Sequence, residues 1–340
     1  MMKWTLAMAI LLPLSACGEG AGGRGQVRMA AEERSEVANP SPHPSPRNTG
    51  ERHKADWNVR EHVPIEQFIV QAHRGAGELA EENTLEAFAL GWKLGCIPEA
   101  DIRTTKDGVI VAFHDNNFAR VVKNVPEDLK SKGVKDVTFA ELQKLDVGSW
   151  KGEQFSGRRV SKMSEVFALM TNKPERRLYL DYKNADLSQL ADEVRRANVG
   201  AQVIFASTKY ELLRQWKKLV PDGQTLLWMG GDESELNARF RELEKSNFAD
   251  VTQLQIHTHI VGDVASITRK SVNPFAESDE FLAGRGKVVR AHNILYQTLP
   301  YGGSTKGVYE KLLDLGFMSF ATDHPDVTWD AVKSYYAEGK

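Results

Sequence analysis

The chain is poor in cysteine. Its 340 residues include only Cys17 and Cys96. Two cysteines make no disulfide framework and exclude a cysteine-rich zinc site. It also lacks a surplus of either charge: 44 Lys and Arg stand against 46 Asp and Glu, a formal net charge of −2. No basic field gathers nucleic acid, so that class of partner is excluded. Long apolar runs are missing beyond the first residues, which excludes a protein with many membrane spans. Hydrophobic residues at 41% and charged residues at 26% exclude a wholly disordered chain.

The one sustained apolar run, Trp4 to Leu14, is short and interrupted by Pro13. It follows Lys3 and leads into Leu14-Ser15-Ala16-Cys17. A positive start, an apolar stretch and small residues before a cleavage point make a secretory signal. The pattern resembles a bacterial lipoprotein signal, which implies that residues 1–17 are a leader and that Cys17 carries the lipid. The expected location is an exported lipoprotein, anchored in a membrane and facing the periplasm or outer membrane. Residues 18–60 are rich in Gly, Pro and Ser, with the run ANPSPHPS at 38–45. This composition predicts a flexible tether, leaving 61–340 as one folded domain.

That domain alternates apolar, β-branched runs with amphipathic stretches, which predicts a largely parallel sheet. Strands are expected at 68–72, 97–103, 109–113, 178–182, 203–206, 225–229, 251–256, 288–294 and 317–322. Helices are expected at 84–94 with Asn83 as N-cap, and at 187–197, 210–219 and 233–245. The span of about 260 residues fits a (β/α)8 TIM barrel. A doubly wound sheet would carry GxGxxG after its first strand, and here that strand ends in His73-Arg74-Gly75-Ala76-Gly77. The long connections 116–164 and 257–286 read as insertions at the barrel rim.

Polar residues cluster where the strands end. Glu99 and Asp101 lie two apart, hence on one face of their strand. Asp181 and Lys183 repeat this spacing. His73 and His114-Asp115 close two other strands. Strand C-termini share one face of a barrel, so these residues converge. Glu99, Asp101 and Asp181 offer an all-oxygen site for one hard divalent cation, Mg²⁺ or Ca²⁺. Three carboxylates and such an ion leave one negative charge. Arg74 and Lys183 reverse it to one positive, which a phosphodiester anion neutralises. His73 and His114 supply a general acid and a general base near neutral pH. His257 and His259, on one side of a later strand, are candidates to touch substrate or a soft metal. Trp228 and Tyr296 are candidates to line the pocket.

Here the motifs carry a family likeness. HRGAGELAEENTLEAF (73–88) followed by EADIRTTKDGVIVAFHD (99–115) resembles the glycerophosphodiester phosphodiesterases, as do LQKLDVGSW (142–150) and TDHPD (322–326). The resemblance implies a TIM barrel, a divalent metal held by Glu99 and Asp101, His73 and His114 as the acid–base pair, and Arg74 on phosphate. The implied reaction cleaves glycerophosphodiesters to glycerol 3-phosphate and an alcohol. Rival functions are a phospholipase-type phosphodiesterase and a non-catalytic lipoprotein that captures phosphate esters. The chain departs from the family pattern at Asp181-Tyr182-Lys183, where Glu-x-Lys is usual. It departs again at Gln297-Thr298-Leu299, where Trp-Thr-Val is usual and the pocket's aromatic wall is expected. At Ser161-Lys162-Met163 it replaces Pro-x-Leu.

Overall fold

The computed structural model describes residues 57–338. The expected leader, Cys17 and most of the tether lie outside these residues. Eight strands close into a parallel barrel: β1 (Ile69–Ala72), β2 (Ile97–Thr104), β4 (Leu178–Asn184), β5 (Val203–Ser207), β6 (Gln224–Met229), β7 (Gln253–His259), β8 (Leu295–Tyr301) and β9 (Ser319–Thr322). Pairing of β1 with both β9 and β2 closes the ring. The remaining strand, β3 (Ile110–Ala112), runs antiparallel to β2 and lies outside the ring.

The helices are α1 (Val59–His62), α2 (Leu85–Lys93), α3 (Phe139–Leu142), α4 (Met163–Met170), α5 (Leu187–Ala197), α6 (Tyr210–Leu219), α7 (Glu233–Lys245), α8 (Asp279–Ala291), α9 (Lys306–Asp314) and α10 (Pro325–Ala337). Among the described residues no helix is long and apolar enough to cross a membrane. Alternation along each strand sorts the side chains. Val70, Ala100, Ile102, Leu178, Leu180 and Phe205 point outward into the main core under the helices. Tyr179, Ile204, Ala206 and Leu226 point inward and form a separate cluster.

Three expectations change. The run 109–113 forms β3, but not as a barrel strand. The 105–109 connection is too short for a parallel crossover, and a turn with Gly108 at φ +82° sends the chain back antiparallel. The run 288–294 is mostly the end of α8, which Ser278 caps through a hydrogen bond from the Phe281 N–H. Its Val289 packs with Phe281 and Leu282 at helical spacing; the strand is Leu295–Tyr301. The cap of α2 is Thr84, which accepts from Ala87 N, not Asn83. Helices 187–197, 210–219 and 233–245 match the expected bounds.

The first long connection carries its own apolar cluster, built from Phe118, Leu129, Val134, Leu142, Val147 and others. Within it Asp146 accepts from the N–H groups of Gly148, Ser149 and Gly157. These bonds hold its carboxyl below the usual carboxylate range although burial opposes them. The motif LDVGSW therefore works as a loop brace.

The middle of the barrel is polar. Gln255 donates to Gln297 (2.6 Å), and Gln297 donates to Ser319 (2.8 Å) and Tyr179 (3.4 Å). Tyr179 in turn donates to Gln253 (2.7 Å). Gln297 is thus a buried rung inside the barrel, and the aromatic wall of the mouth comes from elsewhere. A Gln297→Leu exchange leaves Gln255 and Ser319 without their partner. The expected cost is about 1–3 kcal/mol, read as a lower urea midpoint with an unchanged slope. An unchanged midpoint would show that the network adds nothing to stability.

Candidate active site

The C-terminal ends of β1, β2, β4, β6, β7, β8 and β9 bring the polar residues together. Glu99 and Asp101 both point into the barrel from β2, and Asp181 joins them from the adjacent β4. All three are buried, and a carboxylate oxygen of each lies within 4.8 Å of the others. Like charges this close, out of water, oppose ionisation. Burial and the neighbouring Asp101 push Glu99 up. Burial also pushes Asp181 up, against the pull of Lys183. Asp101 goes the other way: burial opposes its charge, but Lys183, His114, His73 and Arg74 outweigh it.

The cluster is held by donors from its surroundings. Lys183 Nζ lies 2.6 Å from Asp181 Oδ2 and 3.1 Å from Asp101 Oδ1. Trp228 Nε1 donates to Asp181 Oδ1 at 3.1 Å. The Arg74 backbone N–H donates to Glu99 Oε2 at 2.7 Å. Asn83 clasps Asp101 twice: Nδ2 donates to Oδ2 (2.8 Å), and Oδ1 accepts from the Asp101 N–H (3.0 Å). To do so Asn83 takes a left-handed φ of +58°, which Asn tolerates better than most residues. That is why Thr84 and not Asn83 caps α2.

Glu82 completes the Glu-Asn-Thr run. It takes a fork from Arg120 (2.7 and 2.6 Å) and a bond from Arg74 (3.1 Å). Arg120 comes from the first insertion and also bonds Asp115 (2.8 Å).

Each histidine at the site is backed by an aspartate. His73 Nδ1 lies 2.7 Å from Asp323 Oδ1, and His114 Nδ1 lies 2.7 Å from Asp115 Oδ1. Both rings keep Nε2 for another partner. Their proton affinities differ. Burial alone lowers His73, but its bond to Asp323 and the charge of Glu99 raise it to about 9. Burial lowers His114, and Asp101 and Asp115 do not fully offset it. Gly77 makes the first pairing possible. A Cβ there would sit 2.2 Å from the Asp323 carbonyl oxygen, so only glycine lets the HRGAG turn lie against the end of β9.

The second wall of the mouth is aromatic. His257 stacks on Trp228 (centroids 5.1 Å apart) and meets Tyr301 edge-on (4.9 Å). Burial, then the charges of His259 and His73, push His257 down to about 4, so it is neutral. His259 stacks on Tyr301, and its Nδ1 lies 2.7 Å from the buried Glu277. Among the described residues the group suited to a metal is Glu99, Asp101 and Asp181; His257 and His259 do not form one. Tyr296 is not at the mouth. It stacks on Phe317, and its hydroxyl donates to the Leu282 carbonyl under α8.

The oxygen cluster fits a hard divalent cation. Asp101 Oδ1 is buried without a hydrogen bond; Lys183 lies within ion-pair distance but not in hydrogen-bond alignment. Three crowded carboxylates with an unsatisfied oxygen are short of positive charge. Arg74 Nε is likewise a buried donor without an acceptor, the kind of group a phosphoryl oxygen satisfies.

Every predicted residue of this constellation, namely His73, Arg74, Glu99, Asp101, His114, Asp181 and Lys183, is at the barrel mouth. Sequence reasoning read Asn83 only as a helix cap and gave no role to Asp323, Asp115, Glu82, Arg120 or Tyr301. The TDHPD and Glu-Asn-Thr runs were the available signals for three of these. Arg120 had none.

Residues 73–327 match the glycerophosphoryl diester phosphodiesterase family. A glycerophosphodiester phosphodiesterase of Caldanaerobacter subterraneus is 32% identical over 160 residues, covering 45% of this chain and 63% of that protein. One from Bacillus subtilis is 24% identical over 293 residues, covering 79% of this chain and 88% of the other. Solved structures share the fold. A Silicibacter pomeroyi protein described as a glycerophosphoryl diester phosphodiesterase has a TM-score of 0.61 at 20% identity, over 82% of this chain and 98% of that one. An Oleispira antarctica phosphodiesterase in complex with its product sn-glycerol-3-phosphate has a TM-score of 0.56 at 23% identity, over 81% and 99%.

Against burial, the bond to Asp323 and the charge of Glu99 hold the His73 pKa above its ordinary value. In metal-free protein, Asp323→Asn is expected to lower the His73 pKa from about 9 and to leave His114 little changed, by NMR titration of the ring protons. The raised pKa adds stability that is fully present below the ordinary histidine range and is lost as pH rises through about 9. The variant should therefore lose stability at neutral pH and match the parent at strongly alkaline pH. An unmoved His73 titration would assign the shift to Glu99 alone.

Proposed function

The chain belongs to the glycerophosphoryl diester phosphodiesterase family, and from that premise we propose that it hydrolyses glycerophosphodiesters to glycerol 3-phosphate and an alcohol. One observation carries the reading. A buried cluster of three carboxylates is flanked by two imidazoles, each fixed at Nδ1 by an aspartate and open at Nε2. Binding a phosphate ester needs no such pair, so the site favours catalysis over capture. The Oleispira complex with sn-glycerol-3-phosphate supports the same product class.

In the reaction, water adds to phosphorus and the bond from phosphorus to the alcohol oxygen breaks. The attacking oxygen loses a proton and the departing oxygen gains one. His73 and His114 serve these two transfers. Arg74 and Lys183 lie where the phosphoryl oxygens gain charge, and Arg74 Nε offers an unused donor. Asn83, Trp228 and the Arg74 N–H orient the carboxylates. Glu99, Asp101 and Asp181 would hold Mg²⁺ or Ca²⁺, which when bound polarises the phosphoryl group.

Two sets of measurements test this reading. A coupled glycerol 3-phosphate assay should show His73→Ala and His114→Ala each slower by roughly 10² or more, with intact circular dichroism. Chelation should abolish turnover, and Mg²⁺ or Ca²⁺ should restore it. Asp101→Asn should need more metal than the parent, because it keeps an oxygen and loses a charge. Full turnover after chelation would leave the carboxylates as structural partners of Arg74 and Lys183.

We also propose that the enzyme is an exported lipoprotein, on the strength of Leu14-Ser15-Ala16-Cys17. Cys17→Ser should abolish lipid labelling and release the protein from membranes. Unchanged membrane partition would require another anchor.

A further inference from the structure

A second feature opens from the same barrel mouth, on the side away from the aromatic wall. An open cavity of about 590 Å³ runs from His114 and Lys183 over the ends of β4 and β5. Its lining includes Arg103, Asn116, Ser207 and Lys209. This volume is within the usual range for small-molecule sites and is far more than a phosphate and a three-carbon glycerol fill. It shares His114 and Lys183 with the carboxylate site, so a substrate with its phosphate there extends one arm into the cavity.

The charge of the lining is one-sided. Arg103 is half-buried, and its guanidinium is held by neutral oxygens: Nη2 donates to the His114 carbonyl (2.6 Å) and to Asn116 Oδ1 (3.0 Å), and Nε to the Phe113 carbonyl (3.1 Å). Among the described residues Arg103 makes no ion pair with a carboxylate, and neither does Lys209. The lining's one carboxylate, Asp115, is bonded to Arg120 and His114. Lys209 is also the N-cap of α6 and makes no side-chain capping bond, whereas Asp186 and Asp232 cap α5 and α7 on either side. An aspartate at that position would repel an anion entering the cavity. A lysine there adds to the positive end of the helix.

We infer that this cavity is the subsite for the alcohol half of the substrate, and that it selects alcohols carrying a second anionic group over neutral or cationic ones. The inference rests on the proposed glycerophosphodiester activity. The glycerol half carries only hydroxyls, so a second anion belongs to the alcohol. Arg103, fixed in place by its bonds to neutral oxygens, keeps Nη1 to donate to it, and Lys209 supplies a mobile charge at the rim. The asparagine amides suit the hydroxyls of a polyol.

The test compares three substrates: glycerophosphoglycerol, the same compound with a phosphate on its terminal hydroxyl, and glycerophosphocholine. The parent enzyme should give the phosphorylated compound a kcat/KM about tenfold above glycerophosphoglycerol, the scale of one charge-assisted hydrogen bond. Glycerophosphocholine should be the poorest of the three. Raising ionic strength should shrink the preference. Lys209→Glu, an exposed exchange, should abolish or reverse the preference through KM. Arg103→Lys, which keeps charge and loses the fixed guanidinium, should reduce it partly. Equal kcat/KM for the first two substrates, a preference for glycerophosphocholine, or a preference untouched by Lys209→Glu would each overturn the inference and leave the hydrolase reading in place. Turnover of none of the three would remove both.

Discussion

Three buried carboxylates that repel one another are the constraint on which the site is organised. Glu99, Asp101 and Asp181 stand within one coordination sphere of each other at the bottom of the barrel mouth. Without compensation such a group would protonate or push apart. The neighbouring structure supplies the compensation in pieces, from different parts of the chain. Lys183 sits two residues beyond Asp181 on the same strand face. Asn83 adopts a strained left-handed backbone to deliver both ends of its amide to Asp101. The HRGAG turn aims a main-chain N–H at Glu99. Trp228 gives up its only donor to Asp181. Each device is local, but all are needed because the charges stay crowded. The deficit left over, seen in the unbonded Asp101 oxygen, is what suits the cluster to a divalent ion.

The barrel is what allows this crowding. Parallel strands place every C-terminus on one face, so residues from positions 73 to 323 meet without any long-range contact being specified by local sequence. The interior below the site joins polar rungs, Gln255, Gln297, Ser319 and Tyr179, to inward aliphatics such as Ile204 and Leu226. The network is joined rung to rung, which is how a polar interior remains stable. It also gives Gln297 a structural place, where the family resemblance implied a tryptophan. The aromatic surface is rebuilt one layer higher, from Trp228, His257 and Tyr301.

Legibility followed the range of the interaction. Period two on β2 and β4 placed Glu99 with Asp101 and Asp181 with Lys183 on shared faces, and the three helices with amphipathic faces were read to the residue. Errors came where a short apolar run fits either structure. The residues 288–294 read as a strand, but the helix that contains them is set by Ser278 and by packing at 281, 282 and 289. Asn83 was read as a cap because cap chemistry and carboxylate binding ask for the same side chain. Only the position of Asp101 decides between them. Asp323 lies in the TDHPD run, but nothing in that run says that it meets His73. Its role depends on closure of the barrel between β9 and β1, and that of Arg120 on the fold of an insertion.

The two histidine dyads show that a partner does not by itself set proton affinity. Both rings present Nδ1 to an aspartate at 2.7 Å, yet His73 is raised and His114 is lowered. The difference lies in what surrounds each pair. Asp115 already serves Arg120, which spreads its charge, and Arg74 and Lys183 add repulsion at His114. Asp323 has no such competing cation bond, and Glu99 lies on the same side as His73. Two residues of one type, with one kind of partner, are thereby made unlike each other: the carboxylate cluster raises both, but at His114 burial and the cations beside it prevail. In the acid–base role proposed for them, that unlikeness would let one group give a proton while the other takes one.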